Sequence, residues 1–257
     1  MSDYLSAQER QNDILALLAR QRRLSVVEIV ERFRVSEATA RRDLEALAEQ
    51  GKLQRVHGGA ILLSNAPPEA PILQRQREQT AEKIRIGLAA ASLVKDGETI
   101  FLGSGSTVLE AAHALRTKQN LTVITNSLPV INTLVNLDNI TLISLGGHLR
   151  ESELSFIGHI TEQALQEVRA DKVLLGIRAI SLEHGLTNDY LPETMTDRAI
   201  LRVGREIILL ADHTKFGRVA TAWLASLEQI HTIITDSETP AGFVEELEQR
   251  GVRVIVV

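Results

Sequence analysis

From Thr99 onward, short runs rich in Val, Ile, Leu and Thr alternate with stretches of helical periodicity, and this alternation constrains the fold more than any other feature of the chain. The runs are Thr99–Leu102, Leu121–Thr125, Thr141–Leu145, Lys172–Ile177, Glu206–Ala211, Thr232–Thr235 and Arg253–Val257. Between most of them lie Val108–Leu115, Leu128–Asn136, Ile160–Val168, Glu193–Val203 and Phe243–Gln249, each with the spacing of one buried helical face. Strands that alternate with helices imply right-handed βαβ crossovers and a mostly parallel, doubly wound sheet. Aromatic residues make up only 3% of the 257 residues, so the core of this α/β domain is built from aliphatic side chains.

The first 63 residues follow a different pattern. Ile14, Leu15, Leu17 and Leu18 form an apolar helical stripe, and Ser25 with Glu28 makes a capping-box signature ahead of Val26, Val27, Ile29 and Val30. Ser36 is a second N-cap, opening a helix Ala38–Gln50 that Gly51 ends. Leu53–Val56 and Ala60–Leu63 are expected to pair across His57-Gly58-Gly59. Two short helices, a tight turn and a hairpin describe a winged helix-turn-helix at 1–63. Pro67, Pro68 and Pro71 then argue against regular structure in a linker at 64–73, and Gln74–Val94 reads as one long helix opening an effector domain at 74–257.

Net charge is -5, yet its distribution favours a nucleic-acid partner for the first module. Residues 1–64 net +1, and Arg20–Arg55 hold nine basic residues against six acidic ones. In a helix-turn-helix the second helix enters the major groove with its N-terminal residues toward base edges. Here those residues are Ser36, Glu37, Thr39, Arg41 and Arg42, with Arg55, His57 and Gly58 on the wing. Ser and Thr suit bases or phosphates, and Arg suits guanine edges or phosphates.

The second constellation collects at the carboxyl ends of the expected strands, where open α/β sheets bind ligands. Gly103-Ser104-Gly105-Ser106-Thr107 follows the first run and opens a helix. Backbone N–H groups, the helix dipole and three hydroxyls there can cradle a phosphate, although the loop is neither GxGxxG nor a Walker loop. Asn126 and Ser127 follow the second run, Gly147 and then Arg150 the third, and Asp212 and Lys215 the fifth. Lys215 suits phosphate charge, while Asn126 and Asp212 suit sugar hydroxyls.

The run Val35-Ser36-Glu37-Ala38-Thr39-Ala40-Arg41-Arg42-Asp43-Leu44, followed by Arg55-Val56-His57-Gly58-Gly59-Ala60, resembles the DNA-binding signature of DeoR-family repressors. The resemblance continues through Thr125-Asn126-Ser127, Gly146-Gly147 and Asp212-His213-Thr214-Lys215-Phe216. Ala40 departs from the isoleucine usual there, and the smaller side chain is expected to bear on base reading. The resemblance implies an effector domain similar to ribose-5-phosphate isomerase, with its Gly-Ser-Thr phosphate loop and Asp-x-x-Lys segment. Such enzymes also carry acidic residues after a central strand. This chain has Arg178 there, with no carboxylate pair before Glu183 and Asp189. Arg178 cannot act as a general base. It points instead to an extra anionic group on the ligand, and Arg150 is assigned alongside it.

These readings converge on a non-enzymatic repressor of a carbohydrate-utilisation operon. It binds double-stranded operator DNA as a homodimer or homotetramer and is released by a phosphorylated sugar or sugar-acid effector. The alternative is an isomerase- or deaminase-like enzyme with a DNA-binding appendage. No cofactor or metal is expected, since cysteine is absent and the seven histidines show neither HxH nor HExxH spacing. The lack of cysteine, of a secretory signal and of any run of about 20 apolar residues fits a cytoplasmic protein with no membrane partner.

Overall fold

The computed structural model describes residues 6–21, 23–49, 52–56, 58–61, 64–65 and 70–257. The N-terminal module contains α1 (Ala7–Gln21), β1 (Arg23–Ser25), α2 (Val26–Phe33), α3 (Glu37–Glu49), β2 (Gln54–Val56) and β3 (Gly59–Ile61). Ser25 caps α2 through the expected box: its hydroxyl accepts from the Glu28 N–H at 3.1 Å, and the Glu28 carboxylate accepts from the Ser25 N–H at 2.7 Å. Arg34, in the left-handed region at φ 52°, ends α2 and begins the turn into α3. The expected hairpin forms as β2–β3, but Gly59, expected in the turn, belongs to β3 and pairs with Val56, and β1 adds a third antiparallel strand on the other side of β3. Ile14, Leu18, Ile29, Leu44, Leu47 and Leu53 close a core of the module's own. Gly51, the expected helix stop, lies outside the described residues, as do Pro67 and Pro68.

Two expectations for the connector are corrected. Residues Ser64–Asn65 are a strand, β4, rather than irregular chain. The long helix expected over 74–94 is two helices, α4 (Ile72–Arg75) and α5 (Thr80–Ser92). Gln79 sits in the left-handed region at φ 49°, which an uninterrupted α-helix does not admit.

The larger domain continues as β5 (Thr99–Leu102), α6 (Ser106–Leu115), β6 (Leu121–Thr125), α7 (Leu128–Leu134), β7 (Ile140–Ser144), β8 (His148–Arg150), β9 (Ser155–Ile157), α8 (His159–Gln166) and β10 (Ala170–Gly176). It ends with β11 (Ala179–Ser181), β12 (Gly185–Asn188), α9 (Leu191–Leu201), β13 (Gly204–Leu210), β14 (Arg218–Val219), β15 (Ala222–Ala225), β16 (Thr232–Thr235), α10 (Ala241–Gln249) and β17 (Arg253–Val256). Seven of these strands, the seven expected from the sequence, form one sheet in the order β17-β16-β13-β10-β5-β6-β7. Every pairing in it is parallel.

Alternate residues of the central strands enter opposite layers. Val173 and Leu175 pack with Leu165, Ile200 and Phe243 on one face, and Leu174 packs with Ile86, Val108 and Val130 on the other. The chain winds from β5 to β7 in one direction and from β10 to β17 in the other. That reversal places a topological switch point between β5 and β10, where ligands of open α/β sheets bind.

The short strands were not expected from the sequence. β8 and β9 form a hairpin, β11, β12 and β15 a small antiparallel sheet, and β14 pairs with the connector strand β4 with Arg218 opposite Ser64 and Val219 opposite Asn65.

Candidate functional site

On the N-terminal module, Ser36 caps α3: the Thr39 N–H donates to its hydroxyl at 3.2 Å, and the two hydroxyls lie 2.9 Å apart. Ser36, Glu37, Arg41 and Arg42 are exposed and Thr39 is half-buried. Arg41 donates to the Glu37 carboxylate one turn away, at 2.6 and 3.0 Å. Arg55 reaches from β2 to the Arg41 carbonyl at 2.9 Å, which ties the wing to the start of α3. Burial lowers the Arg55 pKa, the Arg41 charge adds to that, and Glu45 opposes it. Gly58 is exposed, whereas His57 lies outside the described residues.

Ala40 is fully buried among the core residues of the module, so its departure from isoleucine bears on packing rather than on base reading. One feature escaped sequence reasoning. Asp43 is buried and accepts from Arg10 at 2.5 Å and Gln11 at 3.2 Å, locking α1 onto α3. Its acidic side chain in a basic run reads as solvated until the fold brings α1 across it.

The second site is a narrow cleft at the switch point. The loop after β5 contributes Ser104, Gly105, Ser106 and Thr107, and the segment after β10 contributes Gly176, Ile177 and Arg178, with Lys215 closing the cleft from the turn after β13. Gly105 holds φ +118°, a backbone conformation that suits glycine, and a Cβ there would meet nothing within 4 Å. Gly103 lies beneath, its N–H donating to the Leu174 carbonyl at 3.0 Å. Asp212 is buried beside Lys215 in an adjoining cavity, and its carboxylate accepts from the Thr214 N–H at 3.0 Å.

Four of the other assigned residues do not line the cleft. Asn126 donates to the Phe156 carbonyl at 2.9 Å and Ser127 bridges Ser155, so both anchor the β8–β9 hairpin. Gly147 is where a Cβ would meet Thr161 Oγ1 at 2.1 Å, so its role is the close approach of that turn to α8. Arg150 is paired with Glu193 and stacks over the Tyr190 ring at 4.7 Å.

Conversely, the cleft gains residues the sequence did not reveal. Arg75 comes from α4, Glu153 from the β8–β9 turn, and Asn188, Glu193 and Asp197 from β12 and α9. The expectation of a cleft without neighbouring carboxylates is therefore corrected, though each of the three is engaged. Glu153 pairs with Arg75, Glu193 with Arg150 and with Ser155 Oγ at 3.0 Å, and Asp197 accepts from Asn188 at 2.9 Å. Arg178 pairs with Asp189 at 2.9 Å. The cleft lining therefore combines hydroxyls with guanidinium and ammonium charge, a donor set for a phosphate ester.

Residues 10–66 match the DeoR-like helix-turn-helix domain, and residues 78–237 match the DeoR C terminal sensor domain. The chain is 36% identical to the glycerol-3-phosphate regulon repressor of Escherichia coli over 96% of its own length and 97% of the relative's. It is 35% identical to the transcriptional repressor AccR of Agrobacterium fabrum over 91% of each chain, and 36% identical to the lactose phosphotransferase system repressor of Lactococcus lactis over 95% and 97%. These relatives are named as repressors rather than enzymes. Among solved structures, ribose 5-phosphate isomerase A from Neisseria gonorrhoeae aligns with a TM-score of 0.39 at 17% identity, covering 52% of each chain. For eIF2B beta from Chaetomium thermophilum the TM-score is 0.45 at 14% identity, covering 88% of this chain and 63% of that one. Among the described residues no helix is long and apolar enough to cross a membrane. With its paired reader and sensor domains, the chain belongs to the DeoR family of transcriptional regulators.

Proposed function

We propose that this chain represses a carbohydrate-utilisation operon and is released from double-stranded operator DNA when a phosphorylated sugar or sugar acid enters the cleft between β5 and β10. The observation that carries the reading is the meeting of Ser104–Thr107 with Lys215 and Arg178 at the switch point. Phosphate at such a loop gains backbone N–H groups and a helix N-terminus together with fixed cations. The names of the relatives, which mention glycerol 3-phosphate and the lactose phosphotransferase system, favour a phosphate ester as ligand.

On the reader, Ser36, Glu37, Thr39, Arg41 and Arg42 face the major groove, with Arg55, His57 and Gly58 on the wing. Two or four copies act together, because symmetric half-sites require paired heads. The site is used for binding: Glu153 and Glu193 are held by arginines rather than poised as bases.

A mobility shift on the intergenic DNA upstream of the gene tests this, with and without a panel of sugar phosphates. Loss of the shift with one ester, and not with its unphosphorylated sugar, is the expected result. A shift indifferent to every ester removes the phosphate-sensing role and leaves the DNA reader.

A further inference from the structure

Beside the cleft lies a second, roomier cavity of about 390 Å³ that shares Arg75, Arg178 and Lys215 with it. One wall is the connector, through Ala70, Glu78, Gln79 and Lys83, and the other is the segment after β13, through Asp212, Thr214 and Arg218. Five cationic side chains line this space, against two carboxylates. Arg75 and Arg178 are paired with Glu153 and Asp189, which lie outside the lining.

The burial is unusual for charged groups. Arg75 is 8% exposed, Lys83 4%, Arg178 6% and Asp212 1%. Buried charge is costly unless it is paired or used. The Lys83 ammonium donates to the carbonyls of Arg75 and Glu78, both at 2.6 Å. Burial holds its pKa below the ordinary lysine range, and the neighbouring Lys215 and Arg75 add to the lowering while Asp212 opposes it. An oxyanion in this space would offset that crowding of positive charge.

We propose that this cavity is a second oxyanion compartment, and that the domain is built for a ligand with two acidic groups, a bisphosphate or a phosphorylated acid. One group rests on Ser104–Thr107 and the other beside Lys83 and Arg218, with the shared Arg75, Arg178 and Lys215 between them. This rests on the phosphate-loop reading above for the first group only. It also gives the ligand a direct hold on the connector, since half of the second compartment is connector.

The test counts inorganic phosphate bound to the full chain by equilibrium dialysis at low ionic strength. Wild type is compared with Arg218→Gln, Ser106→Ala and the double variant, so that phosphate held by the basic reader cancels. Each single variant is expected to lose one phosphate per chain and the double variant two. Retention of the wild-type count by Arg218→Gln overturns the proposal, as does a double variant that loses no more than Ser106→Ala. If Ser106→Ala loses nothing while Arg218→Gln loses one, the second compartment stands and the loop reading falls. The ligand class is read by titrating fructose 1,6-bisphosphate against fructose 6-phosphate. Wild type is expected to prefer the bisphosphate by about tenfold in Kd, the size of one charge-assisted contact, and Arg218→Gln to lose the preference. Equal affinities in wild type, or no binding of the bisphosphate, overturn the ligand class.

Discussion

Arg41 spends its charge on Glu37 in the isolated chain, an exposed pair one helical turn apart. Such pairs contribute about 0–1 kcal/mol, so exchanging Glu37 for a DNA phosphate or a guanine edge costs the fold little. Arg41→Ala and Arg42→Ala are therefore expected to weaken operator binding by about 1–3 kcal/mol each while leaving the unfolding midpoint within error. Mobility shifts alongside urea denaturation check both halves, and wild-type affinity in either variant would remove that arginine from the reading surface. Lys83 supplies a residue-scale pH effect. Because its folded pKa is lowered, the unfolded chain holds the proton more tightly. Stability should then rise with pH between that lowered value and the ordinary lysine value of about 10.4. In Lys83→Met this alkaline rise should be smaller, which urea titrations at graded pH would measure; an unchanged slope would contradict it.

At the scale of elements, the capping box of α2 belongs to a module with its own core. Ser25→Ala should cost about 1 kcal/mol, seen as earlier melting of the reader's amide protons in hydrogen exchange with the sensor's unchanged. Loss of protection across the sheet would mean that the two cores unfold together. Ser25 and Glu28 could be read from sequence because a cap is a local contact. The seven sheet strands could be read for the same reason, each holding a β-branched or aliphatic run long enough to identify by itself. The connector could not. Nothing in the polar spacing of Gln74–Gln79 announces that Gln79 turns left-handed, so one helix was expected where two exist. The candidate cleft divides similarly. Ser104–Thr107 and Lys215 directly follow β5 and β13, so their place follows from strand order, and they meet. Asn126, Gly147 and Arg150 occupy strand ends too, yet their partners Phe156, Thr161 and Glu193 are set by the short β8–β9 hairpin, whose three-residue strands leave no period to detect. Arg75 and Glu153 meet across 78 positions of sequence, a pairing only the finished fold creates.

At the scale of the whole molecule, the reader and the sensor are joined more tightly than a proline-rich linker suggests. The wing strand β3 ends at Ile61, and β4 is already hydrogen-bonded to the sensor at Ser64. Three peptide links separate those residues, a reach on the order of 11 Å even when fully extended. In the proposed oligomer a long leash would let the two heads seek half-sites at many separations; this one leaves them almost no slack. The operator should therefore be read like a ruler rather than a net: inserting about five base pairs between half-sites, half a turn of the duplex, should abolish binding rather than merely weaken it. Footprinting on a spacing series would show this, and equal protection at every spacing would mean that the β4–β14 bridge opens when the protein meets DNA.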